Sequence, residues 1–122
     1  EFAKKNGYAQ TLFGRKRQIR EINAANYNLR TFGERVAMNM PLQGSAADIM
    51  KIAMINVNKA LKDGGLKSRL ILQVHDELVI DAFNDELDRV RSILVDCMEN
   101  AVKLSVPLTV EVNESNNWYD CK

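Results

Sequence analysis

Cysteine is scarce: Cys97 and Cys121 are the only two in 122 residues, and their spacing suits no metal site. That speaks against a disulfide-stapled secreted scaffold, and two free thiols in a reduced, intracellular protein are the simplest account. No apolar run approaches the roughly 18 residues of a membrane span, and nothing resembles a signal peptide. Repeats, low-complexity tracts and linker-like stretches are absent too, which leaves one domain over residues 1–122 as the expectation. Net charge is only +1, so no bulk charge draws the chain to a polyanion. Its distribution is uneven. Residues 1–35 carry eight Lys/Arg against three Asp/Glu, whereas residues 76–99 carry two Arg against eight acids. A basic part and an acidic patch suit a polyanion held in one place and cations in another, although such segregation also occurs on surfaces with no such role.

What is present is an ordinary soluble composition, 46% hydrophobic and 27% charged, on a chain long enough for one core. Residues 7–22 read as a basic hairpin, with Tyr8 to Phe13 strand-like, Gly14 at the turn and Arg15-Lys16-Arg17 after it. Helices are expected over residues 31–62. Thr31 and Glu34 form a capping box for a first helix that Pro41 should end or kink. A second then starts at Pro41 or at Ser45 and stops at Gly64-Gly65. Its stripe is Ala46, Ile49, Met50, Ala53, Val57, Ala60 and Leu61; Ile52 and Ile55 lie off it, so burial on more than one side is expected. Asn84 reads as the N-cap of a third helix reaching residue 104, with Asp85 and Glu86 in its first turn. Alternating Leu108, Val110 and Val112 give a half-exposed strand over 108–113. The order of elements is that of an α+β fold with an antiparallel sheet.

Residues 70–81, LILQVHDELVID, are the stretch most in need of explanation. As one continuous strand, the stretch would set Asp76 among Leu70, Leu72, Val74, Leu78 and Ile80 on an apolar face. A buried unpaired carboxylate is too costly to stand, so it must be neutralised, ligated or moved to solvent. Two outcomes satisfy this: the chain reverses at His75–Glu77, giving a hairpin over 70–82, or Asp76 binds a metal ion. Both can hold together, and a plain solvated turn is the simplest form of the first.

QVHDEL at 73–78 resembles the palm motif C of family A DNA polymerases. GYAQTLFGRKR at 7–17, ERVAMNMPLQGSAADIMKIAM at 34–54, VPLTVEV at 106–112 and NWYD at 117–120 follow that family's order and spacing. The similarity covers essentially the whole chain, and the pairing of HDE with QGSAAD upstream makes it specific. It implies a palm-type antiparallel sheet with a motif C hairpin packed against two to three helices. It also implies part of a DNA-directed DNA polymerase in the cytoplasm, working with two Mg²⁺ ions on primer–template DNA and dNTP. On that resemblance Asp76 is the metal-binding catalytic carboxylate, Glu77 is auxiliary, and His75, the only histidine, lies near the primer terminus. Arg35, Asn39 and Gln43, spaced four apart, would follow the minor groove of the new duplex. Gln73 joins the DNA-contacting set, and Arg15 and Arg17 would meet phosphates. A solvated polar face and a solvated basic loop are the ordinary alternatives for these groups.

The family's second catalytic aspartate and its nucleotide-binding helix have no counterpart in this sequence. The chain is therefore expected to be a fragment with half a metal site, inactive alone and prone to self-association through an open sheet edge. Two other functions compete: a DNA-binding module without catalysis, and a metal-dependent nuclease using Asp76 and Glu77. The second is weakened because no further acidic cluster completes a site.

Overall fold

Residues Phe2–Asn6 form a short helix, α1, which Gly7 closes in the left-handed region at φ 76°. The computed structural model describes residues 1–121. The single domain expected over residues 1–122 is two compact units, one over Glu1–Asp48 and one from Ile49 onward. The boundary falls inside a helix, so no linker composition marks it in the sequence.

In the first unit, β1 (Tyr8–Gln10) pairs antiparallel with β2 (Lys16–Gln18), with Ala9 opposite Arg17. Gly14, at φ 82°, makes the turn that its position suggests. A 3₁₀ turn over Arg20–Asn23 leads on to the long helix α2, Tyr27–Asp63. The core of this unit is Ala3, Ala9, Ile19, Ile22 and Met40, with Val36 and Ala37 packed against it. Gly33 is needed for close approach: a Cβ there would lie 2.9 Å from the backbone nitrogen of Ile22.

Helix α2 corrects the sequence reading twice. It begins at Tyr27, five residues before a helix capped by Thr31 would, because Asn26 caps it: its Oδ1 accepts from the N–H groups of Asn28 at 2.9 Å and Leu29 at 3.3 Å. Thr31 is thus an interior residue, and Glu34 pairs with Lys4 at 2.7 Å rather than closing a capping box. The helix also runs through Pro41 without ending. Proline removes one backbone donor. The flanking Met40 and Ser45 are both buried within the first unit, and keeping that packing outweighs one lost hydrogen bond.

In the second unit α2 ends as the glycines require. Leu66 N–H bonds to Leu61 O at 3.1 Å, Gly65 N–H to Lys62 O at 3.0 Å, and Gly65 sits at φ 65°. This is a Schellman motif, and its hydrophobic pair, Leu61 and Leu66, belongs to the unit's core with Val57 and Val90. Each of these side chains contributes about 1.5–3 kcal/mol on burial. Around them pack Leu70, Leu78 and Ile80 from a hairpin, and Ile93, Leu94 and Cys97 from α3, Leu87–Glu99. Burial pushes the Cys97 thiol above its ordinary value.

Three further expectations are corrected here. Ile52 is half-buried but Ile55 is exposed, so burial beyond the main stripe is only partial. Asn84–Glu86 is a 3₁₀ turn with no side-chain cap, and α3 ends at Glu99 rather than near 104. Residues 108–113 form no strand. Their inside–outside alternation survives, with Leu108, Val110 and Val112 half-buried between exposed neighbours, but no strand among the described residues pairs with them. Alternation encodes a half-buried face; it does not supply the partner that makes a strand.

Candidate functional site

The hairpin predicted over 70–82 consists of β3, Arg69–Val74, and β4, Glu77–Asp81, joined by His75 and Asp76. Of the two outcomes left open for Asp76, the turn is realised: Val74 faces Glu77 and Asp76 is exposed at the tip. His75 sits at φ 51°, the one non-glycine with positive φ among the described residues. That conformation is uncommon for a side-chain-bearing residue, though histidine is among those enriched in it. Gln73 braces it: its side-chain Nε2 donates to the His75 carbonyl at 2.5 Å. The turn carrying Asp76 is thus held by its own neighbours.

The strand faces are not those of an uninterrupted alternation. A bulge lies between Leu70 and Leu72, so that Leu70 faces Ile80 while Leu72 faces Val79 and Gln73 faces Leu78. One inserted residue exchanges the faces beyond it. Leu70, Leu78 and Ile80 turn to the core, whereas Ile71 and Leu72 are 61% and 38% exposed. Equal spacing in the sequence therefore does not put Leu70, Leu72 and Val74 on one face.

Asp76, Glu77 and His75 are all exposed, and nothing among the described residues hydrogen-bonds or pairs with the Asp76 carboxylate. No group of three or more His, Cys, Asp or Glu side chains capable of holding a metal exists among the described residues. The donor set fits a contribution to a divalent-cation site, not a complete one: hard carboxylate oxygens, accessible and uncommitted, at adjacent positions.

At the open end of the hairpin lies a cluster that the sequence did not single out. The Glu86 carboxylate accepts from Lys67 N–H and Ser68 N–H, each at 2.9 Å, and from the Ser68 hydroxyl at 2.6 Å. Ser68 is fully buried, and its Oγ accepts from Phe83 N–H at 3.0 Å. Glu86 had read as a first-turn acid favourable to the helix dipole. The overlooked signal is its place just beyond the exit of one strand, with Ser68 just before the entry of the other. The Lys67 backbone N–H, then the Ser68 hydroxyl, hold the Glu86 carboxyl below its ordinary value of 4.5. A depressed carboxyl stabilises the fold above its unfolded value and loses that contribution as pH falls through the folded one. The stabilising effect of Glu86 is therefore expected to be complete at neutral pH and to vanish on acidification below 4.5. Thermal melts of wild type and Glu86→Gln should converge there; a constant gap down to low pH would contradict the assignment.

The second constellation, Arg35, Asn39 and Gln43, lies on one face of an unbroken helix, so Pro41 does not scatter it. All three are exposed. Between them Met38 and Leu42 are 66% and 75% exposed. The basic hairpin behaves differently. The Arg15 guanidinium bonds to Asp48 Oδ1 at 2.8 Å and to the Gly44 carbonyl at 3.1 Å, and Ser45 Oγ accepts from Leu12 N–H at 3.0 Å. Gly44, Ser45 and Asp48 of the QGSAAD segment thus anchor the 11–15 loop on α2. Arg15 is committed to that anchor, while Arg17 stays exposed on β2.

Residues 1–120 match the family described as DNA polymerase family A. DNA polymerase I of Caldicellulosiruptor bescii is 58% identical over 122 residues, covering 100% of this chain and 14% of that protein. DNA polymerase I of Streptococcus pneumoniae serotype 4 is 48% identical over 120 residues, 98% of this chain and again 14% of the relative. Among solved structures, the POL domain of Pol1 from M. smegmatis, in complex with DNA primer-template and dNTP, superimposes with a TM-score of 0.96 at 45% identity. It covers 98% of this chain and 21% of that one. The chain spans only about a seventh of the length of these curated relatives.

Proposed function

The chain belongs to DNA polymerase family A, and we propose that it supplies one part of a centre for template-directed nucleotidyl transfer from a dNTP to a primer 3′-hydroxyl. The observation that carries this is the Asp76 carboxylate, uncommitted and exposed at a braced two-residue turn. Asp76, with Glu77 beside it, would hold Mg²⁺ together with a carboxylate from outside this chain. When bound, the ions supply Lewis acidity at the attacking hydroxyl and the leaving group. The chain's own residues do the rest. Gln73 and the His75 backbone fix the turn, and the exposed His75 side chain, next in sequence to Asp76, would meet the primer terminus. Arg35, Asn39 and Gln43 present donors to the minor groove, whose purine N3 and pyrimidine O2 acceptors are common to every base pair. That readout tests pair shape without reading sequence. Arg17 and Gln73 add DNA contacts, while Arg15 acts through the loop it anchors. A cytoplasmic location follows from the same reading.

The test is primer extension by the complete enzyme on several unrelated templates with Mg²⁺ as the sole divalent ion. Template-directed incorporation abolished by chelation is expected; DNA binding without incorporation would leave only a DNA-binding module.

Taken alone, the 122-residue chain is expected to be inactive and to self-associate. Both outer edges of the β3–β4 ribbon are unpaired among the described residues, and the exposed Ile71 and Leu72 adjoin one of them. Open apolar edges recruit other strands. Light scattering across the micromolar range should show mass rising with concentration; a clean monomer throughout would contradict it.

A further inference from the structure

The β3–β4 hairpin is a two-stranded ribbon among the described residues, and a ribbon of that kind is marginal alone. Its core face holds it down, but Asp76 is at the far tip. From the Ser68 end to the turn, six residues of β3 span about 20 Å at the usual strand rise. Over that lever a rotation of about 3° at the base moves the tip by about 1 Å.

At the base a cluster of hydrogen bonds converges on one carboxylate and one hydroxyl. Lys67 and Ser68 precede β3, Phe83 follows β4 and Glu86 precedes α3; all four meet at one buried hydroxyl and one carboxylate. Bonds to an ionised acceptor are shorter and stronger than neutral ones. Two strand ends and the entry of α3 are thereby tied at one point. The same tie resists loss of the Leu70/Leu72 bulge by slippage at the base, which would bring Leu70 opposite Asp81 and out of the core.

We propose that Glu86 and Ser68 are positioning residues for Asp76, their latch fixing the base angle of the hairpin and through it the place of the carboxylate at the tip. This rests on Asp76 being the metal-binding carboxylate. A displacement of about 1 Å in a catalytic group costs up to about 10²-fold in rate.

The experiment compares Glu86→Gln, Glu86→Asp and Ser68→Ala in the complete enzyme, with Asp76→Ala as control. Rate at saturating dNTP, Mg²⁺ midpoint, primer–template affinity and thermal midpoint are measured well below melting. For Glu86→Gln the rate should fall about tenfold or more and the Mg²⁺ midpoint rise several-fold, with DNA affinity within about twofold. Glu86→Asp should recover part of the rate. A lowered melting temperature with unchanged rate and Mg²⁺ midpoint would mean the latch is only structural and would overturn the proposal. If Ser68→Ala fails to fold, Glu86→Gln decides. If Asp76→Ala incorporates nucleotide like wild type, the reading of Asp76 itself has failed, and the positioning role falls with it.

Discussion

Asp76→Ala in the complete enzyme is expected to slow single-turnover incorporation by about 10³-fold or more, while primer–template affinity changes by no more than about twofold. The asymmetry follows from where the side chain sits. The carboxylate is exposed, makes no hydrogen bond within the described residues and stands in a turn, so its removal opens no cavity and orphans no partner. The fold around it, from the Leu61–Leu66 motif to the Val90 contact, lies at the other end of the hairpin. What is lost is a negative charge opposite the cations that act on transition-state charge, an interaction that contributes to rate rather than to duplex affinity. Extension close to wild type would remove Asp76 from the chemistry. A large fall in duplex affinity would instead make it a DNA contact.

Arg35→Ala and Gln43→Ala should come next in size. An interaction of a charged donor contributes about 1.5–3 kcal/mol and that of a neutral one about 0.5–1.5. Extension should therefore fall roughly 10- to 100-fold for Arg35 and about 3- to 10-fold for Gln43, if each bond forms fully only on a correctly paired terminus. Discrimination against mispaired primer ends should weaken in both, and equally on all templates. Both residues are exposed on an unbroken helix face, so neither change should lower the melting temperature appreciably. A change of preference among template sequences would contradict a minor-groove contact, since the acceptors there are shared by all pairs.

The hairpin tip was legible because physical chemistry allowed the sequence few outcomes: an acid in an apolar alternation must leave the buried face. The bulge was not legible. Nothing in LILQV distinguishes a parity change at Ile71 from a straight strand; it is fixed by how Leu70 and Leu78 meet the core. The helix end at Gly64-Gly65 was readable because the left-handed conformation falls to glycine, whereas the start was obscured by three asparagines in six residues, any of which can cap. Pro41 misled because its cost is local and fixed while the packing that opposes it is tertiary. Residues 108–113 kept their half-buried pattern but form no ladder, which no single strand's sequence can specify. In the site, Asp76, Glu77 and His75 came together as adjacency in sequence requires. Arg15 did not stay free, because Asp48, 33 residues away, was out of reach of any local reading. Ser68 and Glu86 were missed for the same reason: each reads as an ordinary polar residue until the hairpin brings them within 2.6 Å.

The most direct measurement is a crystal structure of the complete enzyme with a dideoxy-terminated primer, template and incoming dNTP in Mg²⁺. An Asp76 carboxylate oxygen about 2.0–2.1 Å from a bound ion, in octahedral coordination, is the result predicted. A catalytically competent pair of ions bound with Asp76 left in solvent, several ångströms from either, would contradict the account.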